Sequence, residues 1–152
     1  MTLNIVHRPA GAECASIIAD LPEWFGIPDV NAAYAERAES DRAWVAEFKG
    51  QASGLMILTD TGFSAIDVHF LAVLRHAHRR GVGTALVTKA LAEARALHRP
   101  YLTIKTLGPS RASEPYEQTM NFYRAVGFEP LEEFTTIWPN APCLLMVMAV
   151  PP

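Results

Sequence analysis

The stretch HFLAVLRHAHRRGVGTALVTKALAEARAL, residues 69–97, decides the fold of this protein. An apolar run leads into a group of basic side chains, two glycines one residue apart follow, and a helical pattern completes the stretch. The basic side chains are Arg75, His76, His78, Arg79 and Arg80. This order predicts a strand that turns into an amphipathic helix, with positive charge concentrated at the helix start. We therefore expect an anionic ligand at this turn.

The composition limits what kind of protein surrounds that turn. The chain has 152 residues, of which 50% are hydrophobic and 19% charged, and its formal net charge is −3. These values predict one globular domain, residues 1–152, and argue against the broad basic surface of a nucleic-acid-binding protein. The N-terminal sequence MTLNIVHRPAGAE lacks the pattern of a signal peptide, and no apolar run approaches the roughly 20 residues that span a bilayer. We expect a cytoplasmic protein that binds neither nucleic acid nor membrane.

Local patterns along the chain predict an α/β fold with a mixed sheet of about seven strands and about four helices. Strands are predicted at LNIVHR, on both sides of Lys49-Gly50-Gln51, and at FSAIDVHFLAVL, YLTIKTL, FEPLEEFTTIW and CLLMVMAV. Helices are predicted from Pro9 to about Asp20, from Asn31, from Val82 until Pro100 stops the helix, and over residues 115–126, where Gly127 ends the last one. The strands before and after the helix at Val82 are expected to be parallel, because a helical crossover joins them.

The glycine pair, Gly81 and Gly83, has a physical explanation. Without a Cβ these residues let the backbone approach a ligand closely, and they expose N–H groups at a helix start, where the helix dipole favours negative charge. This predicts a phosphate cradle, with Arg79 and Arg80 beside it to neutralise a pyrophosphate; a plain tight turn is the alternative. Spacing excludes a dinucleotide fingerprint, because Leu86 stands where the third glycine is needed, and no lysine follows Gly83 as a P-loop requires.

Two motifs resemble those of the GCN5-related N-acetyltransferases, the GNAT family. HRRGVG, residues 78–83, is similar to the pyrophosphate loop Gln/Arg-x-x-Gly-x-Gly/Ala after the fourth strand of that family, with His78 in place of the usual Gln or Arg. NFYRAVGF, residues 121–128, is similar to the Phe-Tyr-x-x-x-Gly-Phe signature that joins the fourth helix to the sixth strand. The order of elements also resembles the whole GNAT fold, and the ending resembles a bacterial subgroup. The resemblance covers essentially the whole chain and implies acetyl-CoA as the acyl donor.

The resemblance also implies a coenzyme site. The backbone amides of residues 79–84 would bind the pyrophosphate of acetyl-CoA, and the backbone of Leu71–Val73 would bind its pantetheine. Arg124 is similar to a basic residue near the coenzyme phosphates in the family, although a solvated surface arginine explains it equally well. Tyr116 departs from the pattern, because many members carry a coenzyme-contacting asparagine there. The cofactor-binding candidates are Leu71, Ala72, Val73, His78, Arg79, Arg80, Gly81, Val82, Gly83, Thr84 and Arg124.

Acetyl transfer to an amine requires a neutral nucleophile and a proton for the departing thiolate. The resemblance implies Asp67 as the general base, since a family glutamate often stands at this distance, 81 − 67 = 14 residues, before the first loop glycine. A polar residue at the strand edge is the alternative, with His69 on the same strand face or solvent as the base. Tyr123 matches the family tyrosine whose hydroxyl faces the coenzyme sulfur, which makes it the candidate general acid. A buried core aromatic is the alternative for Tyr123.

The acceptor amine is expected to bind beside the first helical connection, which is rich in aromatic residues, and beside the loop 108–115. The candidate acceptor-binding residues are Trp24, Phe25, Tyr34 and His69. The acidic residues near them in sequence are Glu36, Glu39 and Asp41. These acidic side chains would suit a cationic amine or would form a solvated helix face.

The function expected from these residues is acetyl-CoA-dependent transfer of an acetyl group to a primary amine of a small molecule, directly in a ternary complex. The protein would act as a monomer or a homodimer. Two alternatives stay open: a non-catalytic acyl-CoA-binding or sensing module, and a protein N-acetyltransferase. No metal is expected, because His76 and His78 lack further ligands in a suitable pattern, and Cys14 and Cys143 lie too far apart in sequence.

Overall fold

The computed structural model of the protein describes residues 2–40 and 42–152. Its α-helices are α1 (Gly11–Asp20), α2 (Pro28–Ser40), α3 (Val82–Ala96) and α4 (Glu114–Val126). Its strands are β1 (Leu3–His7), β2 (Arg42–Phe48), β3 (Gln51–Asp60), β4 (Ala65–Val73), β5 (Tyr101–Leu107), β6 (Glu129–Trp138) and β7 (Ala141–Ala149). A short 3-10 turn, Arg75–Ala77, lies between β4 and α3.

The strands form a seven-stranded sheet in the order β1-β2-β3-β4-β5-β7-β6. The pairs β1–β2, β2–β3, β5–β7 and β6–β7 are antiparallel. The neighbours β4 and β5 are joined through α3, which is the crossover connection of a parallel pair. The mixed sheet and its four helices confirm the predicted fold class.

Element boundaries differ from the predicted ones in a few places. α2 begins at Pro28 rather than Asn31, because proline fits the first turn of a helix. α3 ends at Ala96, a few residues before Pro100, and His98 terminates it in the left-handed conformation with φ = 57°. The N–H of His98 bonds the Arg95 carbonyl at 3.1 Å, and the N–H of Arg99 bonds the Ala94 carbonyl at 2.8 Å. These bonds form a Schellman motif at the end of α3. The sequence did not predict it, because the left-handed residue of this motif is usually glycine and here it is His98.

The chain forms two compact units. The first comprises the residues up to Thr59 together with Val68–Ala92. Apolar side chains of α1, α2 and strands β2 to β4 form its buried core: Ala10, Cys14, Ile17, Ile18, Leu21, Ala38, Ala43, Val45, Leu55, Ile57, Phe70 and Ala72. Three aromatic side chains, Trp24, Phe25 and Tyr34, pack partly buried against this core. The first helical connection is thereby held to the unit that carries the loop 78–84.

The second unit comprises Asp60–Asp67 together with Glu93–Pro152. β7 lies between β5 and β6 in this unit. Its pairing with β5 is antiparallel, with Cys143 opposite Leu107 at one end and Ala149 opposite Tyr101 at the other. The buried side chains of this unit include Leu102, Ile104, Phe128, Cys143 and Met146. Among the helices of the described residues, none combines the length and the hydropathy that crossing a membrane requires.

Candidate active site

The start of α3 presents backbone N–H groups. The Ala85 N–H donates to the Gly81 carbonyl at 3.0 Å, so the amides of residues 82–84 lie ahead of the first intrahelical hydrogen bond. Gly81 caps the helix with φ = 79°, in the left-handed region that favours glycine. The helix dipole and these amides together make the turn attractive to an anion.

The structure divides the basic residues that precede α3 into two sets. Arg79 and Arg80 are exposed beside the helix start, and Arg79 adopts a left-handed conformation with φ = 62°. Arg75, in contrast, donates through Nη2 to the Glu23 carboxylate at 2.7 Å. The Nε2 atom of His78 lies 2.7 Å from the Val73 carbonyl oxygen, to which it donates. Arg79 and Arg80 are thus exposed at the start of α3, whereas Arg75 and His78 have partners within the protein.

The strand β4 carries the predicted pantetheine contacts, Leu71, Ala72 and Val73, at its C-terminal end. Burial alternates along β4, so that Ala72 points into the core while Leu71 and Val73 are half-buried. Gly54 of β3 lies very close to this end: a Cβ there would stand 3.2 Å from the Ala72 carbonyl oxygen and 3.0 Å from Val82 Cγ1. Sequence reasoning missed Gly54, since an isolated glycine in a strand signals close approach only in general.

The predicted signature around Tyr123 forms a Schellman end to α4. The Phe128 N–H bonds the Tyr123 carbonyl at 2.9 Å, and the Gly127 N–H bonds the Arg124 carbonyl at 3.1 Å. Gly127 has φ = 120°, and the rings of Tyr123 and Phe128 meet edge to face with centroids 5.9 Å apart. Tyr123 is buried, with 6% of its surface exposed, whereas the Arg124 side chain is exposed. Tyr123, Gly127 and Phe128 of the signature therefore have a local structural explanation.

Asp67 is a partly buried carboxylate with two polar neighbours on β5. The Thr103 hydroxyl donates to Asp67 Oδ1 at 2.8 Å, and Lys105 Nζ lies 3.8 Å from the same oxygen. Thr103 and Lys105 are two residues apart and share a strand face, but their alignment with Asp67 depends on the β4–β5 register. Sequence reasoning therefore missed both neighbours.

Three of the four predicted acceptor-binding residues come together in the structure. The Tyr34 ring lies 5.4 Å from His69 and 6.1 Å from Phe25, measured between ring centroids. Phe70 completes this aromatic cluster, with its centroid 4.9 Å from Tyr34 and 5.4 Å from Phe25. Trp24 instead lies edge to face against His78, at 6.1 Å.

The acidic residues near the first helical connection do not gather around a common site. Glu39 Oε2 accepts the Gly11 N–H at 2.9 Å and so caps the start of α1. Glu36 is exposed, and Asp41 lies outside the described residues.

The loop 108–115 lies beside an open cavity of about 440 Å³. Its lining is mostly polar: Ala112, Ser113, Glu114, Glu117, Gln118 and Asn121.

The two cysteines are free and fully buried, with 0% exposure. Burial raises the pKa of the Cys14 thiol to about 12, and it also raises the pKa of Cys143. Buried thiols of raised pKa react slowly, because the thiolate is the nucleophile.

In the part of the chain that the structure describes, no three His, Cys, Asp or Glu side chains are grouped so that they could hold a metal ion.

A comparison with protein families agrees with this geometry. The model of the "Acetyltransferase (GNAT) domain" matches residues 39–130, a range that contains both the α3 start and the Tyr123 signature. The chain belongs to the GNAT family of acetyltransferases. Among curated proteins, no sequence matches this GNAT chain.

Solved structures of other GNAT proteins share its fold. A GNAT-family protein from Desulfovibrio desulfuricans superposes with a TM-score of 0.81 at 15% identity, covering 99% of this chain and 100% of that one. A GNAT acetyltransferase from Elizabethkingia anophelis with acetyl-CoA bound gives 0.71 at 17% identity, with 97% of each chain covered. The ribosomal-protein-S18-alanine N-acetyltransferase from Escherichia coli gives 0.74 at 14% identity, covering 98% of this chain and 94% of that one. At these identities the similarity establishes the fold of this GNAT protein and leaves its acceptor open.

Proposed function

We propose that this GNAT protein transfers the acetyl group of acetyl-CoA to a primary amine of a small molecule, directly in a ternary complex. The start of α3 is the observation that carries the proposal. Three amides precede the first intrahelical bond there, Gly81 caps the helix in the left-handed conformation, and Arg79 and Arg80 stand exposed beside it. Amides at a helix start together with two arginines fit the charge and the hydrogen-bonding needs of a pyrophosphate. His78, Leu71–Val73 and Arg124 are proposed as further coenzyme contacts.

The proposed chemistry assigns one task to each candidate residue. Bound acetyl-CoA supplies the acyl carbon and the thiolate leaving group. Asp67, oriented by the Thr103 hydroxyl, would take a proton from the amine, directly or through a water molecule. His69 and solvent are the other candidates for that step. The Tyr123 hydroxyl would donate a proton to the departing sulfur.

Two surfaces support a small amine as the acceptor. In the aromatic cluster, Phe25, Tyr34 and His69 are half-buried and offer ring surface to the body of such a molecule, whereas Phe70 is buried in the core. The cavity beside the loop 108–115 carries carboxylates that would attract an ammonium group. Three further predictions stay predictions: that residues 1–152 form one acetyltransferase domain, that the protein lies in the cytoplasm, and that it acts as a monomer or a homodimer.

Two alternatives differ in a measurable way. A sensing module would bind acetyl-CoA without releasing free thiol, and a protein acetyltransferase would turn over only with peptides. The decisive experiment incubates the protein with acetyl-CoA and a panel of arylalkylamines, polyamines, amino sugars and peptides, and follows free thiol with Ellman's reagent. Because Cys14 and Cys143 are fully buried, the native protein should add little background to this assay.

We expect thiol release with at least one small amine, confirmed by the mass of the acetylated product. Tight acetyl-CoA binding with no turnover on any acceptor would favour the sensing module instead. Turnover restricted to peptides would overturn the small-molecule assignment and keep the acetyltransferase.

A further inference from the structure

The segment that leads into the loop 78–84 is fastened to the end of α1. The Arg75 backbone N–H donates to Asp20 Oδ2 at 2.7 Å, and Arg75 Nη2 donates to the Asp20 carbonyl at 3.0 Å. The same guanidinium pairs with Glu23 at 2.7 Å and lies over the Trp24 indole, 5.9 Å from its centroid. Both the backbone and the side chain of Arg75 are thus engaged by residues that lie more than fifty positions earlier in the chain.

His78 fastens the same segment from the other side. Its Nε2 donates to the Val73 carbonyl at the end of β4, and its ring meets the edge of Trp24 at 6.1 Å. Trp24 therefore contacts both Arg75, the first residue of the 3-10 turn, and His78, the residue that follows it. We call this set, Asp20, Glu23, Trp24, Arg75 and His78, the clasp.

The clasp joins two parts of the proposed site. On one side lies the loop of residues 79–84, proposed to bind pyrophosphate. On the other lies the first helical connection, where hydrogen bonds from the Trp24 and Phe25 amides to the Leu21 carbonyl, both 3.1 Å, shape a tight turn. That turn holds Trp24 in the clasp and Phe25 in the aromatic cluster. Contacts therefore run from Arg75 and His78 to Trp24, and Phe25 is the next residue of the same turn.

We propose that the clasp couples the coenzyme loop to the acceptor-side connection, with Arg75 as a positioning residue rather than a phosphate ligand and with His78 holding the same segment to the end of β4. This inference rests on the proposed function. The clasp pre-organises the loop and so removes part of the ordering cost of binding the coenzyme. Coupling between two sites is reciprocal, so occupancy of the loop also holds the connection in the arrangement that binds the amine.

The charges of the clasp support this assignment. The hydrogen bond from Arg75 lowers the pKa of Glu23, and the hydrogen bond from Glu23 raises the pKa of Arg75. The pair is therefore fully ionised at neutral pH. The Arg75 guanidinium already bonds the Glu23 carboxylate and the Asp20 carbonyl, whereas Arg79 and Arg80 are exposed.

The test uses acetyl-CoA itself and needs no knowledge of the acceptor. Calorimetry measures the affinity for acetyl-CoA, and the emission of Trp24 is isolated by subtracting the spectra of Trp24→Phe. We expect acetyl-CoA to change Trp24 emission in the wild-type protein. Arg75→Gln should weaken acetyl-CoA binding about fivefold, the lower end of typical coupling between sites, and should abolish the emission change. Arg75→Lys, which can still pair with Glu23, should recover part of the affinity.

Two further variants separate positioning from general stability. Glu23→Gln keeps the side-chain shape and the Asp20 contact, so it should fold normally and still reduce the emission change. Arg8→Gln is the matched control, because Arg8 pairs with Glu13 and Glu47 in the same unit but does not contact the clasp. It should leave acetyl-CoA affinity and the emission change at wild-type values.

The outcomes are distinguishable. A wild-type protein that does not bind acetyl-CoA would overturn both the proposed function and the clasp. Two outcomes would overturn the clasp alone. One is wild-type protein that binds acetyl-CoA without any change in Trp24 emission, and the other is wild-type affinity and emission change in both Arg75→Gln and Glu23→Gln. An equal loss of affinity in Arg8→Gln would also overturn it, since the effect would then be general.

Discussion

Tyr123 has a packing role that accounts for its ring without any catalysis. Its carbonyl accepts the Phe128 N–H of the Schellman end, and its ring lies against Phe128 at 5.9 Å. A hydrophobic contact between these two positions commonly accompanies that motif. The ring therefore belongs to the fold, and a chemical role can rest only on the hydroxyl.

Replacing that hydroxyl alone separates the two roles. Tyr123→Phe keeps the ring contact, so the melting temperature should change little. If the hydroxyl is the general acid, kcat should fall by roughly 10²-fold with acetyl-CoA affinity nearly unaltered, and the alkaline limb of the pH profile should shift. Steady-state kinetics under conditions where chemistry limits the rate provide the measurement. Tyr101→Phe, at an exposed tyrosine of β5, is the control and should retain wild-type kcat. Near wild-type kcat in Tyr123→Phe would assign the proton to solvent.

At the scale of elements, the turn from β4 into α3 combines several local devices. The 3-10 turn Arg75–Ala77 ends the strand, two left-handed residues, Arg79 and Gly81, redirect the chain, and α3 then begins with exposed amides. Gly81 meets the conformational requirement, whereas Gly83 lies within the first turn of α3 without a positive φ. Under the proposed function, the reason for glycine at residue 83 is the close approach of the coenzyme to the helix start.

A branched side chain at this position tests that requirement. Gly83→Val should weaken acetyl-CoA binding at least tenfold, about 1.4 kcal/mol, because the added methyl groups stand among the amides of residues 82–84. The fold should persist, since valine is no worse than glycine in a helix. Titration calorimetry and circular dichroism check both points. Thr88→Val, an exposed position of the same helix, should bind acetyl-CoA normally. Unchanged affinity in a folded Gly83→Val variant would mean that the two glycines form a tight turn and do not bind the coenzyme.

At the scale of the whole molecule, ion pairs join elements that are distant in sequence. Arg8, which follows β1, donates to Glu13 of α1 and to Glu47 of β2. The hydrogen bond from Arg8 lowers the pKa of Glu13 below its ordinary value of 4.5. A carboxyl whose pKa is lower in the folded state stabilises the fold above its unfolded pKa, and this stabilisation is lost as pH falls through the folded pKa.

Glu13→Gln should accordingly lower the free energy of unfolding at pH 7 by about 0.5 kcal/mol, the typical value for a partly exposed pair. The difference from wild type should shrink as pH falls below the ordinary glutamate value of 4.5 and vanish in stronger acid, where Glu13 is protonated. Urea titrations at several pH values measure this. Glu132→Gln, at an exposed position of β6, is the control and should change stability little. A Glu13→Gln difference that stays constant into strong acid would contradict the assignment.

The sequence alone determined the features that depend on neighbouring residues. Hydrophobic periodicity placed the seven strands and four helices within a few positions, and Gly127 marked the end of α4. The order of strand, glycines and helix predicted both the crossover and the amide-bearing turn, because caps and turns are set by local backbone requirements. Both family motifs are recognisable in the sequence for the same reason, since each lies within a single short segment of the chain.

Only the tertiary structure decided which distant side chains meet. Arg75 was one of five basic residues in the sequence, and its pairing with Asp20 and Glu23 appears only when α1 and the end of β4 are brought together. The alignment of Asp67 with Thr103 depends on strand register, which a periodic pattern leaves free. Hydrogen bonds and ion pairs reach only a few ångströms, so partners far apart in sequence are selected by packing. For this reason the fold and the amide-bearing turn followed from the sequence, whereas the pairing of Arg75 and His78 with protein partners did not.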